Sequence, residues 1–422
     1  MLVDSTFLFD QKNNVVKILI LTQYYPPEIG APQNRLHELA VRLQASGAEI
    51  EVLTALPNYP KMEVQEGYQK GQNREEIIDG IPVHRAWIYV SKSKRILARL
   101  LNYFSFVWSS YWRGRKLKSF DYLMVESPPL FLGYSAIALA KKLKAKLIFN
   151  VSDLWPESAD KLGVVTNKQL LKLAYNLEAS CYQNAHLITG QTQGIVTNIS
   201  SRFPAKEVYW LPNGVNIDFY NPSHIDEGDF RNKHGFSTSD ILFFYGGILG
   251  YAQGLEVILK AAALLKDLTS IHFIIQGSGP EKEKLQALKT TLALSNVHFL
   301  EPVTKQEMPA ILKAIDVALV PLKKLPLFEG AIPSKVFEAL AMEVPLLLGV
   351  DGEARKHFID NAAAGWFFEP ENETVLAACI RNLAQDPTQI KTAGQNGRKY
   401  VSTHFNRDQI AASLYQRLTN IS

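Results

Sequence analysis

The stretch VVKILILTQYYPPEIGAPQNRLHELAVRLQASGAEIEVLT, residues 15–54, decides the architecture. Its apolar run Ile18 to Leu21 reads as a strand, Tyr24 to Gly30 as a turn-rich loop, and a helix begins near Pro32. Leu36, Leu39, Ala40 and Leu43 follow i, i+3, i+4, i+7 spacing, Gly47 ends the helix, and Glu49 to Thr54 is a second strand. Strand, helix and strand in this order build a mostly parallel sheet covered by helices.

The pattern returns at Tyr122 to Glu126 (strand), Gly133 to Leu143 (helix), Lys146 to Val151 (strand) and His186 to Thr189 (strand). After the turn cluster Leu211-Pro212-Asn213-Gly214 it starts afresh with Ile241 to Tyr245 (strand) and Leu255 to Leu265 (helix), and it continues through strands at 271–276, 297–300, 317–321 and 345–349. The expected fold is α/β, with two Rossmann-like doubly wound domains at 1–212 and 213–400 facing a cleft, and residues 1–14 a short leader. In the segment 401–422, Ile410, Leu414 and Leu418 form one helical stripe, which is expected to cross back onto the first domain.

A chain of 422 residues with 47% hydrophobic and 20% charged content is too long for one ordinary core. The net charge of +4 is too small for a general polyanion binder, so no nucleic-acid partner is expected. Only Cys181 and Cys379 occur, without metal-ligand spacing, which fits a reducing cytoplasm and no metal site. No apolar run is long enough to cross a bilayer.

In open parallel sheets ligands gather at the carboxyl ends of strands, where loops and helix N-termini meet. Four such loops in the second half suit a sugar diphosphate. Gly246, Gly247 and Gln253 belong to the first, Gly277 and Gly279 to the second; a glycine loop lets backbone NH groups approach an anion, and equally makes a plain tight turn. The third, FEGAIPSKVFEALAM at 328–342, enters a helix that carries a cation and a carboxylate. With Ser334 as cap, Lys335 meets phosphate and Glu338, one turn along, accepts hydrogen bonds from ribose hydroxyls; the bland alternative is a cap and a solvated face. The fourth is Gly352-Glu353-Ala354-Arg355.

In the first half, Asp153 follows a strand and is a candidate to orient sugar or acceptor, or else a turn-initiating carboxylate. Gly30 and Arg35 are acceptor-side candidates. Between Lys92 and Lys118, the cations Lys94, Arg95, Arg99, Arg113, Arg115, Lys116 and Lys118 bracket an aromatic-rich stretch from Leu100 to Trp112. That pattern fits peripheral association with an anionic membrane, and it fits a core helix with solvated ends.

The motifs YYPPEIGAP (24–32), LPNYP (56–60), DLWPES (153–158) and PSK (333–335) resemble glycosyltransferase family 4, a retaining group with the GT-B fold, and in particular its bacterial O-antigen and capsule subgroup, which includes proposed N-acetylfucosamine transferases. The resemblance implies a hexosyl- or N-acetylaminosugar transferase with a nucleoside-diphosphate sugar donor, UDP being the expected nucleotide. It also implies a saccharide acceptor often carried on a polyprenyl diphosphate at the inner face of the cell membrane, and no cofactor or obligatory metal. Where the family has a glutamate eight positions before Glu338 this chain has Gly330, with Glu329 beside it; where the family has an Arg and a Lys in the first loop of the second domain it has Ile248 and Gln253; and where a histidine is frequent it has Ser152. Lys335 is then expected to supply the missing diphosphate charge. The alternative activity is a nucleotide-sugar epimerase or hydrolase on the same fold.

Overall fold

The computed structural model describes residues 15–28, 30–93, 95–161, 163, 165–226 and 228–420. The leader expected at 1–14, and Lys94 of the basic segment, lie outside them.

The first sheet is built from β1 (Lys17–Leu21), β2 (Glu49–Ala55), β3 (Glu75–Ile78), β4 (Ile81–Ala86), β5 (Tyr122–Ser127), β6 (Lys146–Val151), β7 (Leu187–Gly190) and β8 (Val208–Trp210), in the order β3-β4-β2-β1-β5-β6-β7-β8. Strand β1 pairs in parallel with β2 and β5, Ile18 standing beside Ile50 on one side and Tyr122 on the other. The helices along this part of the chain are α1 (Ala31–Ala45), α2 (Ile96–Gly114), α3 (Leu132–Leu143), α4 (Glu157–Lys161), α5 (Lys168–Asn184) and α6 (Gln193–Arg202). The antiparallel pair β3–β4 is an addition to the sequence reading: Asp79 and Gly80 turn the chain with φ 48° and 79°, the left-handed pair that a two-residue hairpin needs.

The second sheet runs β11-β10-β9-β12-β13-β14. Its strands are β9 (Ile241–Gly246), β10 (Ile271–Gln276), β11 (Val297–Leu300), β12 (Val317–Pro321), β13 (Leu346–Gly349) and β14 (Gly365–Phe367), and every pairing is parallel. Helices α7 (Phe230–Lys233), α8 (Glu256–Ala263), α9 (Lys282–Thr291), α10 (Met308–Ala314), α11 (Lys335–Ala341), α12 (Glu353–Arg355), α13 (Glu373–Gln385), α14 (Thr388–His404) and α15 (Arg407–Asn420) complete the chain. Side chains alternate across a strand, so Leu242 and Phe244 enter one core while Phe243 and Tyr245 enter the other. Burial on both faces is why these strands read as unbroken apolar runs.

The chain divides into two compact units, Met1–Asn150 with Lys172–Ile188 and Ala411–Ser422, and Val151–Leu171 with Thr189–Ile410. Within the first, the end of α15 packs on the sheet: Leu414 and Leu418 are buried, and the Tyr122 hydroxyl donates to the Leu418 carbonyl at 2.9 Å.

Candidate active site

The loops that follow β9 and β10 are laced together. The Gly247 NH donates to the Gln276 carbonyl at 2.9 Å, the Leu249 NH to Ser278 at 2.9 Å, and the Glu281 NH to Leu249 at 3.0 Å. Gly277 and Gly279 have φ 147° and 158°, and a Cβ on either would strike the carbonyl oxygen of Gly247 or Leu249. Glycine at these two positions therefore serves the approach of one loop to the other, and the NH groups of Gly247 and Leu249 are committed to it. Gln253 closes the short turn Tyr251–Gln253 beyond this contact.

Lys335 reaches back onto the same loop. Its Nζ lies 3.6 Å from the centroid of the Tyr245 ring, and a Cβ on Gly247 would stand 3.2 Å from it. The ring is held by its hydroxyl, which donates to the Ile248 carbonyl at 2.7 Å. No carboxylate among the described residues stands within ion-pair distance of Lys335; desolvation lowers its pKa to about 7, and the more distant charge of Glu338 opposes that shift.

Glu338 is likewise half-buried, and desolvation raises its pKa above the ordinary carboxylate range; Arg407, a hydrogen bond from Tyr220, Lys305 and Lys335 pull in the opposite direction. Gly246, Lys335 and Glu338 line one small cavity of about 40 Å³ with Phe244, Met308 and Leu312. The structure thus brings together three residues singled out from two separate places in the sequence. Tyr220 and Arg407 are additions, and nothing local in the sequence marks them.

Ser334 departs from expectation. It occupies the position before α11 with helical φ −59° and ψ −30°, and its side chain makes no capping bond. An N-cap accepts the NH bond from an extended backbone, which Ser334 does not have. Glu329 is exposed in the turn Pro326–Gly330, on the wall of a separate cleft of about 550 Å³ with Lys324, Phe328, Asp351 and Phe367.

Asp153 is half-buried just after β6, where the Ser158 hydroxyl donates to its Oδ2 at 2.9 Å; burial raises its pKa against that bond. Gly30 precedes α1 in extended backbone, φ 177°, so its conformation does not itself require glycine. Arg35 is buried and pairs with Glu126 at 2.5 Å, while the Asn150 amide donates to the other oxygen of the same carboxylate. A residue overlooked in the sequence is Glu28: its carboxylate accepts the NH groups of Asn58 at 2.7 Å and Tyr59 at 2.8 Å, fastening two of the quoted motifs to each other.

Known proteins resemble this chain in sequence and in fold. Residues 30–214 match the glycosyl transferase 4-like domain and residues 226–400 match glycosyl transferases group 1. A protein of Escherichia coli K12 named "Putative colanic acid biosynthesis glycosyl transferase WcaI" is 29% identical over 408 residues, 94% of this chain and 98% of its own. The alpha-monoglucosyldiacylglycerol synthase of Acholeplasma laidlawii is 23% identical, covering 90% of this chain and 91% of its own. Among solved structures, HepE of Anabaena in complex with UDP and glucose superposes with a TM-score of 0.70 at 16% identity, covering 96% of this chain and all of its own, a likeness of fold.

Proposed function

We propose that this chain, which belongs to the family 4 glycosyltransferases, moves a sugar from a UDP-linked donor to a saccharide acceptor carried on a polyprenyl diphosphate, with retention at the anomeric carbon, in the assembly of a cell-surface polysaccharide. The observation that carries this reading is the pairing of Lys335 and Glu338 beside the Gly246–Gly247 loop. Lys335 is a desolvated cation with no carboxylate of the described residues at ion-pair distance, and Glu338 is an acceptor one helical turn away. A nucleoside diphosphate answers both, its diphosphate meeting the ammonium and its ribose hydroxyls donating to the carboxylate. The name of the E. coli relative supports the pathway, and the UDP held by HepE supports the nucleotide.

In the reaction the bond from sugar C1 to the diphosphate oxygen breaks, and the acceptor oxygen bonds to C1 from the same face. The acceptor's proton passes to a donor phosphate oxygen. The main electrostatic demand is the charge growing on the departing UDP, which Lys335 meets in place of an obligatory metal. Asp153 is assigned to orienting the sugar. Nucleotide sugars are made in the cytoplasm, which places the reaction at the cytoplasmic face of the membrane.

The test is transfer from a panel of UDP-sugars to lipid-linked saccharides, with the anomeric configuration of the product read by NMR. An α-linked donor is expected to give an α-linked product, with the rate unchanged by EDTA and largely lost in Glu338→Ala. Free sugar or an epimerised donor accumulating without acceptor would instead mark a hydrolase or epimerase.

A further inference from the structure

Helix α2 has two faces of different character. Asn102, Phe106, Ser109 and Ser110 are buried, tied down by bonds such as Asn102 Nδ2 to the Tyr89 carbonyl at 2.6 Å and Ser110 Oγ to Ser135 Oγ at 2.8 Å. The opposite face carries Leu97 at 69% exposure, Leu101 at 48%, Phe104 at 43%, Trp108 at 62% and Trp112 at 41%. At about 100° per residue these five lie within an arc of about 80°. Tyr134 of α3, 52% exposed, extends the apolar area. Scattered exposed apolar residues need no explanation, but a contiguous stripe over four turns does.

The charge around it has one sign. Residues 81–120 hold nine Lys and Arg and no Asp or Glu, whereas the whole chain has a net charge of +4, so the remainder is net negative. Arg85 is buried against Glu76, Lys92 pairs with Glu63 and Arg113 with Glu75 of the neighbouring hairpin, and Arg115 stacks on Trp112 at 3.8 Å. Arg95 and Arg99 at one end, and Lys116 and Lys118 at the other, have no carboxylate at ion-pair distance among the described residues. A protein interface has a rim of mixed polarity; tryptophans and leucines with cations free of carboxylate partners at both ends of the helix suit the headgroup layer of an anionic bilayer. Among the described residues no helix is long and apolar enough to cross a membrane, so contact would lie in the interfacial plane.

We infer that this face of α2 docks the protein on an anionic lipid bilayer. The inference does not depend on the donor or sugar reading, although it would hold the enzyme where a lipid-linked acceptor resides.

The test is cosedimentation of the full chain with phosphatidylcholine vesicles, with and without phosphatidylglycerol, at low and high salt. The full chain is expected to bind the phosphatidylglycerol vesicles, to bind phosphatidylcholine alone at least about tenfold more weakly, and to show a blue shift of tryptophan emission on binding. Leu101→Glu with Trp108→Glu, both solvent-facing, is expected to lose vesicle binding at least about tenfold while keeping its UDP affinity. Arg99→Ser with Lys116→Ser and Lys118→Ser should weaken binding about fivefold for each charge removed. Equal binding to both vesicle types, or unchanged binding by both variants, would overturn the inference. A dimer at assay concentrations that the glutamate variant turns into a monomer would also overturn it, by placing a second copy on the face. Should the glutamate variant lose UDP affinity, the serine variant decides: full vesicle binding by it removes the proposal.

Discussion

Two cations, Arg35 buried and Lys335 half-buried, show how the same kind of charge serves different ends. In the first unit, Arg35 sits 2.5 Å from Glu126, and the Asn150 amide donates to the other carboxylate oxygen. In the second, Lys335 lies over an aromatic ring, one turn from Glu338 and, among the described residues, without an ion-pair partner, and its pKa falls to about 7. The guanidinium is satisfied within the fold and holds strands β5 and β6 against α1. The half-buried ammonium is left undersatisfied, and a charge partly withdrawn from water binds an anion more strongly than a fully solvated one.

The comparison can be broken most forcefully at Arg35. Arg35→Ala should strand the Glu126 carboxylate and cost about 3–5 kcal/mol, seen as a lower urea midpoint, while the UDP affinity of the folded fraction is unchanged. A loss of affinity without a loss of stability would move Arg35 into the binding machinery. Glu338→Ala should have the opposite signature. Calorimetry is expected to report UDP binding weaker by about 1.5–3 kcal/mol, the scale of hydrogen bonds to a charged group, with little change in the urea midpoint.

A smaller effect sharpens the contrast. The fold lowers the pKa of Lys335 below that of the unfolded chain, so its cost to stability is complete below about pH 7 and fades as pH rises towards the ordinary lysine value. Lys335→Met should therefore raise the melting temperature of the ligand-free protein by about 2 °C at pH 6, with the gain shrinking in alkali, while weakening UDP binding. A melting temperature that falls on this substitution would mean that the ammonium is structurally satisfied after all.

Much of this was legible in the sequence wherever burial imposes a simple pattern. Strands β9, β10, β12 and β13 are covered on both faces and read as continuous apolar runs, and α1 shows its buried stripe at Leu36, Leu39, Ala40 and Leu43. The hairpin β3–β4 was not read, because its edge strand Glu75-Glu76-Ile77-Ile78 is short and lacks the period-two alternation of a half-buried strand; the Asp79-Gly80 turn was its only strong signal. Lys335 and Glu338 were visible because one helix carries both.

Their surroundings were not. Tyr220 and Arg407 come to Glu338 from distant parts of the chain, and the role of Gly277 follows from a carbonyl oxygen in another loop. The cap expected at Ser334 fails for a backbone reason, since the residue is already helical. For the basic aromatic segment the core reading holds on the buried face of α2, and the exposed face is the one on which the membrane proposal rests.

The account stands most directly on the protonation of Lys335, which UDP binding across pH would measure. Calorimetry at pH 7 in buffers of different ionisation enthalpy should show uptake of about half a proton per UDP bound, because the diphosphate raises a pKa that starts near 7, and the affinity should decline as pH rises from 6 to 8.5. In Lys335→Met the proton uptake attributable to this group and the decline above pH 7 should both be absent. A wild-type affinity that is level across this range, or a proton uptake that survives in Lys335→Met, would contradict the assignment of Lys335 to the diphosphate.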